Sequence, residues 1–376
     1  MGGRLRFADI WLVIGTRPEA IKLSPVAAAL RSGGVDPLLL VTGQHPQLDL
    51  ASFGLSDFRS VELDCPGQTN PYNHARQVEE RVRDQFQRHP DLLVVQGDTS
   101  SAFGAAQAAF AAGVPVAHVE AGLRTYDPRL PWPEQEFRSA IDARALLLFA
   151  PTALAAANLA SERLDGAVHI TGNSGIDALI ETVARLPPEP LRAAGHQRIL
   201  VTCLRRETWG SGLAEIGDAI AAIAEGENVR IEVVLHPNPA VARPLSERLR
   251  RLKHIALLAP MSHSDLIERM RGCDLLLSDS GGIQEEAPAL GVPLLVLRDK
   301  TERPEAITSG NARLVGVKAE RIIAEARALL GNPVERAAMA RRNFPFGDGR
   351  SAPRMARIIE QWLTTRTRGS RAFRTR

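Results

Sequence analysis

Residues 10–22 read IWLVIGTRPEAIK, and this stretch decides the fold. Five apolar residues come first. The run is too short for a helix and does not alternate, which suits a strand buried on both faces of a parallel sheet. Gly15 permits a tight turn, and Pro18 suits the first position of a following helix. The stretch is therefore one strand–turn–helix unit. Arg17 and Lys22 would stand near that helix N-terminus, where an anion is already favoured. The alternative is an ordinary turn with surface charges. The motif is neither the GxGxxG dinucleotide fingerprint nor the GxxxxGK[ST] phosphate loop.

The pattern repeats along the chain. Brief apolar runs at 10–14, 38–41, 92–95, 114–117 and 146–149 form one series, and runs at 199–202, 231–235, 255–258, 275–277 and 294–297 form a second. Between them lie Ala/Leu/Arg/Glu-rich segments of helix length, such as 101–112 and 212–226. Strand–helix alternation predicts doubly wound α/β domains with parallel sheets. It pauses once, at the proline cluster LPPEP of residues 186–190, which reads as a break near the middle. A boundary between about 172 and 190 leaves two halves of similar size. Residues 352–363 predict a final amphipathic helix, with Met355, Ile358, Ile359 and Trp362 at helical spacing.

Bulk properties exclude several classes. At 376 residues the chain is long enough for more than one domain. No apolar run reaches the roughly 18 residues of a membrane helix, and the start lacks a signal peptide's apolar core, so a cytoplasmic protein without membrane insertion is expected. Cys65, Cys203 and Cys273 are odd in number and far apart, which suggests neither a disulfide framework nor a metal knuckle. The net charge of +3 arises from five arginines in the last eleven residues, leaving the body at −2. A body without a basic face is not expected to bind nucleic acid.

In open α/β sheets the ligand sits beyond the carboxyl ends of the strands. The residues there are polar and specific. Gln96-Gly97-Asp98-Thr99 follows one strand, where Asp98 could enter a site or cap the next helix. His118-Val119-Glu120-Ala121-Gly122-Leu123-Arg124 follows another, and a loop then leads to Pro131-Trp132-Pro133-Glu134. Glu120 and Glu134 would flank one crevice if the loop folds back. Neighbouring carboxyls raise one another's pKa, so one can act as acid and another as base. The plainer reading pairs Glu120 with Arg124 and leaves Glu134 as a helix cap. In the second half, Ser278-Asp279-Ser280-Gly281-Gly282 opens a helix with small residues whose N–H groups could cradle a diphosphate. Glu286, further along, could accept from ribose hydroxyls. His236-Pro237-Asn238-Pro239 ends another strand, and arginines 298, 303 and 313 follow the last predicted one.

Taken together, the segments GTRPEAIKLSPV (15–26), TGQH (42–45), GDTSSA (97–102), HVEAGLRT (118–125), PWPE (131–134), TGNSGIDAL (171–179), RRE (205–207), HPNP (236–239), SDSGGIQEEAPALG (278–291), TERPEA (301–306) and ARLVG (312–316) resemble the non-hydrolysing UDP-N-acetylglucosamine 2-epimerases. The resemblance covers nearly the whole chain, in order. It implies a GT-B-like fold: two Rossmann-like domains with a cleft between them. Residues 1–172 with 352–376 would form the first domain, the last helix returning to it, and 173–351 the second. It implies a homodimer acting on a UDP-sugar, with neither cofactor nor metal. By motif match, Arg17, Lys22, His236, Ser280, Gly281, Gly282, Glu286 and Arg313 would bind UDP. Asp98, Glu120 and Glu134 would do the acid–base work. Gln44 and Gln47 match positions where a second UDP-sugar activates bacterial relatives.

The chemistry accords with that set. C2 of the sugar is not next to a carbonyl, so its proton is not acidic. The family is understood to eliminate UDP from C1 while a base takes the C2 proton. A 2-acetamidoglucal forms, and UDP returns after protonation from the other face. Opposed acid–base groups and a UDP cradle are what this requires.

The chain departs from the family pattern at three positions. Leu204 stands where a histidine precedes RRE, Phe137 where asparagine is common, and Ala143 where histidine is common. Leucine can neither donate a hydrogen bond nor carry charge. The departures leave open epimerisation with compensation, another NDP-2-acetamido sugar, or a UDP-sugar binder impaired in catalysis. A hydrolysing epimerase begins with the same elimination, and a GT-B glycosyltransferase would share the cradle but demand an acceptor.

Overall fold

The computed structural model describes residues 8–46, 48–188, 195–203, 209–226 and 228–372, with side chains described as far as residue 366. The chain divides into two compact units, Met1–Ala178 with Phe346–Arg376, and Leu179–Pro345.

The first unit is built on seven strands: β1 (Ile10–Ile14), β2 (Leu38–Val41), β3 (Ser60–Glu62), β4 (Leu92–Gln96), β5 (Val116–Val119), β6 (Leu147–Ala150) and β7 (Ala167–Ile170). They lie in the order β3-β2-β1-β4-β5-β6-β7, every neighbouring pair parallel. Both faces are covered. Ile10, Leu12 and Ile14 face one apolar cluster, and Trp11 and Val13 face another, so β1 is apolar throughout. The first cluster takes in Leu23, Val26 and Leu30 from the helix Arg17–Ser32. It also takes in Met355 and Ile359 from the last helix, Ser351–Ala372. Ile358 and Trp362 pack at its margin. The return of the chain to this unit is fixed at residue level. Asn173 N–H donates to Phe346 C=O at 2.7 Å, and the Asp177 carboxylate accepts from the N–H groups of Ser351 and Ala352 at 3.1 and 2.9 Å. Asp177 thus caps the last helix from across the sequence.

The second unit has six strands: β8 (Gln197–Thr202), β9 (Val229–Val234), β10 (Ile255–Leu258), β11 (Leu275–Ser278), β12 (Leu294–Val296) and β13 (Ala312–Leu314). Their order is β10-β9-β8-β11-β12-β13, again all parallel. Alternate residues of its strands, including Ile199, Val201, Leu275 and Leu277, pack against Ile216, Ile220, Ile322 and Leu329 from flanking helices.

In each sheet the winding reverses once, between β1 and β4 in the first unit and between β8 and β11 in the second. The crevice at such a reversal is where an open α/β sheet receives its ligand. Among the described residues no helix is long and apolar enough to cross a membrane.

Candidate active site

The carboxyl ends of β1, β4 and β5 carry the first cluster. Thr16 caps the helix Arg17–Ser32 in a capping box with Glu19. Glu19 is fully buried and accepts from Gly15 N–H at 2.8 Å, Thr16 N–H at 2.6 Å, the Thr16 hydroxyl at 2.9 Å and the Thr99 hydroxyl at 2.6 Å. Burial pushes its carboxyl above the ordinary value, and the four donors hold that rise back. Glu19 therefore ties the turn after β1 to the turn after β4. Gly15 is required by packing: a Cβ there would lie 2.1 Å from the Ser101 hydroxyl.

Lys22, one turn further along the helix, ion-pairs with Glu120, both side chains nearly buried. Gln96, the last residue of β4, donates to the same Glu120 oxygen at 2.6 Å. Glu120 has a left-handed backbone, φ 71°. A non-glycine residue held there is placed by its surroundings. Arg124 does not pair with Glu120. It bonds Asp142 at 2.8 Å and forks onto Glu162 at 2.7 and 2.8 Å.

At residues 98–99 it is Thr99, not Asp98, that caps the next helix. The Thr99 hydroxyl accepts from Ala102 N–H at 3.0 Å and caps the helix Ser100–Ala111. Asp98 is left to ion-pair with Arg138. Arg138 lies one turn after Glu134 on the helix Glu134–Asp142. That pair joins the helix Glu134–Asp142 to the turn after β4. Arg17 is exposed, its N–H donating to His45 Nδ1 at 3.3 Å. Burial, then the Arg17 charge, push the His45 pKa down. Gln44 accepts from the Ser101 hydroxyl at 2.7 Å. Gln47 and Leu204 lie outside the described residues. Phe137 is buried, stacked on Phe103 with centroids 4.4 Å apart and met edge-on by Tyr72 at 5.2 Å. Ala143 is exposed at the end of its helix.

In the second unit Ser280 is the N-cap of the helix Gly281–Leu290, with no side-chain cap bond. A Cβ on Gly282 would meet nothing nearer than the Ser280 hydroxyl at 3.9 Å. Packing does not demand a glycine there, whereas a ligand approaching the backbone would. The turn is held from below: Ser280 N–H donates to the Ser278 hydroxyl at 3.0 Å, which lies 2.6 Å from that of Thr202. Glu286 is 2.7 Å from His263 Nε2. His236 Nδ1 accepts from Asn238 N–H at 2.9 Å, which leaves Nε2 to carry the proton of the neutral ring. Burial pushes its pKa down, against the Asp279 charge. The Trp209 ring meets His236 edge-on at 5.7 Å.

The arginines of this unit are sorted by the structure. Arg313 sits within β13, half-exposed, paired with Glu325 and Glu335. Arg303 is buried beside the Gly281–Leu290 helix, its Nε donating to Glu285 at 2.6 Å and its fork reaching Glu302. Arg298 completes this buried group, 3.0 Å from Glu302. Charged residues this deep need partners, and here Glu285 and Glu302 supply them. Among the described residues no group of three or more His, Cys, Asp or Glu side chains is placed to hold a metal ion.

Two parallel sheets with polar strand-end turns at their winding reversals are the architecture of GT-B-like nucleotide-sugar enzymes. A sequence profile of the family described as UDP-N-acetylglucosamine 2-epimerase matches residues 28–360. A Salmonella typhimurium protein named UDP-N-acetylglucosamine 2-epimerase is 39% identical over 367 residues, covering 93% of this chain and 98% of the relative. The crystal structure of the Neisseria meningitidis UDP-GlcNAc 2-epimerase bound to UDP-GlcNAc superposes with a TM-score of 0.88 at 35% identity, covering 95% of this chain and all of that one. The Methanocaldococcus jannaschii UDP-GlcNAc 2-epimerase, in complex with UDP-GlcNAc and UDP, gives 0.84 at 29% identity, covering 94% and 99%. The chain belongs to the UDP-N-acetylglucosamine 2-epimerase family and is an epimerase.

Proposed function

We propose that this chain interconverts UDP-N-acetylglucosamine and UDP-N-acetylmannosamine by eliminating and re-adding UDP. The observation that supports this reading is that Asp98 and Glu120 stand on the turns after the neighbouring strands β4 and β5, ion-paired with Arg138 and Lys22, while Glu134 opens the helix that carries Arg138. The C2 proton passes to one carboxylate as the C1–O bond breaks and the electron pair leaves with UDP. A second group protonates C2 of the glycal from the opposite face, and UDP re-forms the bond at C1. No net oxidation occurs. Ser280, Gly281 and Gly282 serve the diphosphate through backbone N–H groups at the positive helix end. Glu286, held by His263, serves the ribose, and His236 the UDP phosphates. Lys22 and Arg17 add positive charge, and Arg303, rather than Arg313, is the arginine beside the cradle. The family resemblance further supports a cytoplasmic homodimer, with Gln44 and Gln47 near an activating UDP-sugar.

The test is incubation with UDP-N-acetylglucosamine in D₂O, followed by NMR. Deuterium at C2 together with UDP-N-acetylmannosamine is expected. Unlabelled substrate and no product from a protein that binds UDP would refute activity on this sugar.

A further inference from the structure

Behind these turns lies a buried dyad that the reaction itself does not use. His118 on β5 and Asp142, the last residue of the helix Glu134–Asp142, are both fully buried, 2.6 Å apart through Nδ1 and Oδ1. His118 Nε2 donates to the Gly97 carbonyl at 2.7 Å. That carbonyl belongs to the peptide leading into Asp98, and Gly97 N–H is itself bonded to Val119 C=O at 2.9 Å. The other Asp142 oxygen accepts from Gly122 N–H at 3.1 Å, two residues after Glu120, and from Arg124 at 2.8 Å. Gly122 has φ 83°, and a Cβ there would lie 2.3 Å from Ala155 C=O, so its N–H is fixed in direction. Glu134 opens the very helix that Asp142 closes.

We infer that Asp142, with His118, is the positioning residue that sets the three carboxylates Asp98, Glu120 and Glu134 in register. One buried carboxylate touches the turn after β5 directly, the turn after β4 through His118, and the Glu134 helix through the backbone. The residues these three hydrogen bonds join are 20 to 24 apart in sequence, and each bond is buried and directional. The inference rests on the acid–base reading of the three carboxylates. Displacing a reacting group by about 1 Å costs on the order of 10²-fold in rate, and removing a supporting hydrogen-bond partner typically 10–100-fold.

The test compares kcat per UDP-titrated site and KM for UDP-N-acetylglucosamine in Asp142→Ala, Asp142→Asn and His118→Ala, with Asp98→Asn alongside. Asparagine at 142 can still accept from Gly122 and Arg124 through its oxygen and donate to His118 through its amide. The expected result is a fall in kcat of about 10–100-fold for both alanine variants, with KM within threefold and UDP affinity kept, and Asp142→Asn within about fivefold of the parent. Alanine variants that bind UDP and keep kcat within threefold would overturn the inference. So would failure of both to give UDP-binding protein, because the dyad would then hold the fold rather than the carboxylates. Folded Asp142→Asn losing as much kcat as Asp142→Ala would overturn it too, by assigning the role to charge. If Asp98→Asn turns over at the parent rate, the acid–base reading fails instead, and the two failures are told apart.

Discussion

Lys22→Met separates a buried ion pair from its surroundings with the least change of shape. The Lys22 and Glu120 side chains are 9% and 6% exposed. With the ammonium gone, Glu120 keeps the Gln96 amide as a donor at 2.6 Å but loses the Lys22 charge. Removing one partner of a buried pair costs about 3–5 kcal/mol, because the remaining charge is left uncompensated in a poorly solvated site. For a unit of about two hundred residues, that corresponds to a fall in Tm of roughly 6–20 °C. Urea unfolding at pH 7, followed by circular dichroism, reads the loss as a change in midpoint at constant slope. The control is Lys22→Met with Glu120→Gln. Replacing both charges removes the desolvation penalty together with the attraction, so the double variant should recover about 2 kcal/mol or more of the single loss. A double variant as unstable as Lys22→Met would refute the argument, since the cost would then lie in the lysine stem and not in the charge taken from Glu120.

Three other outcomes follow from particular contacts. Gly104 lies where the helices Pro71–Asp84 and Ser100–Ala111 cross, and a Cβ there would stand 2.2 Å from Ala75 C=O and 2.9 Å from Val78 Cβ. Gly104→Ala should therefore destabilise by about 1–3 kcal/mol in urea unfolding, despite alanine's better helix propensity, and a stabilised variant would sink the close-crossing account. Arg303→Ala takes its buried guanidinium away from Glu285 and leaves Glu302 with Arg298, and it should cost about 3–5 kcal/mol, whereas Arg313→Ala, at a half-exposed pair, should cost about 1 kcal/mol or less; equal losses would contradict the sorting of the two arginines. Burial raises the Asp142 carboxyl, but His118 and Arg124 outweigh it and hold the group below its ordinary value of 3.8. Its contribution is then present above about pH 4 and lost as pH falls through the folded value. The stability gap between the parent and Asp142→Asn, read from Tm between pH 6 and 3, should narrow on acidification, and a constant gap would contradict the linkage.

Much of this architecture is local and could be read directly. Every interior strand was visible as a short apolar run, because a strand covered on both faces has no polar positions to hide among. The Gly15 turn and the amphipathic last helix were legible because backbone permissiveness and helical spacing are properties of neighbouring residues. So were the strand-end motifs that carry Asp98, Glu120, Glu134 and the Ser280 turn. Three strands escaped: β3, β7 and β13, all at sheet edges. Ser60–Glu62 and Ala167–Ile170 are largely exposed, so they carry little apolar signal. Pairings were also out of reach. Glu120 stands four residues from Arg124, yet it pairs with Lys22, 98 residues away, while Arg124 turns to Asp142 and Glu162. Burial of an ionised group demands whichever partner the fold brings to it, and sequence spacing does not say which. The same reason separates Arg303 from Arg313. The sequence determined which polar motifs stand at the strand ends; only the tertiary structure decided which charges face one another, and that one carboxylate, Asp142, meets the turn after β5 directly and the turn after β4 through His118, because such contacts exist only once distant strand ends are set side by side.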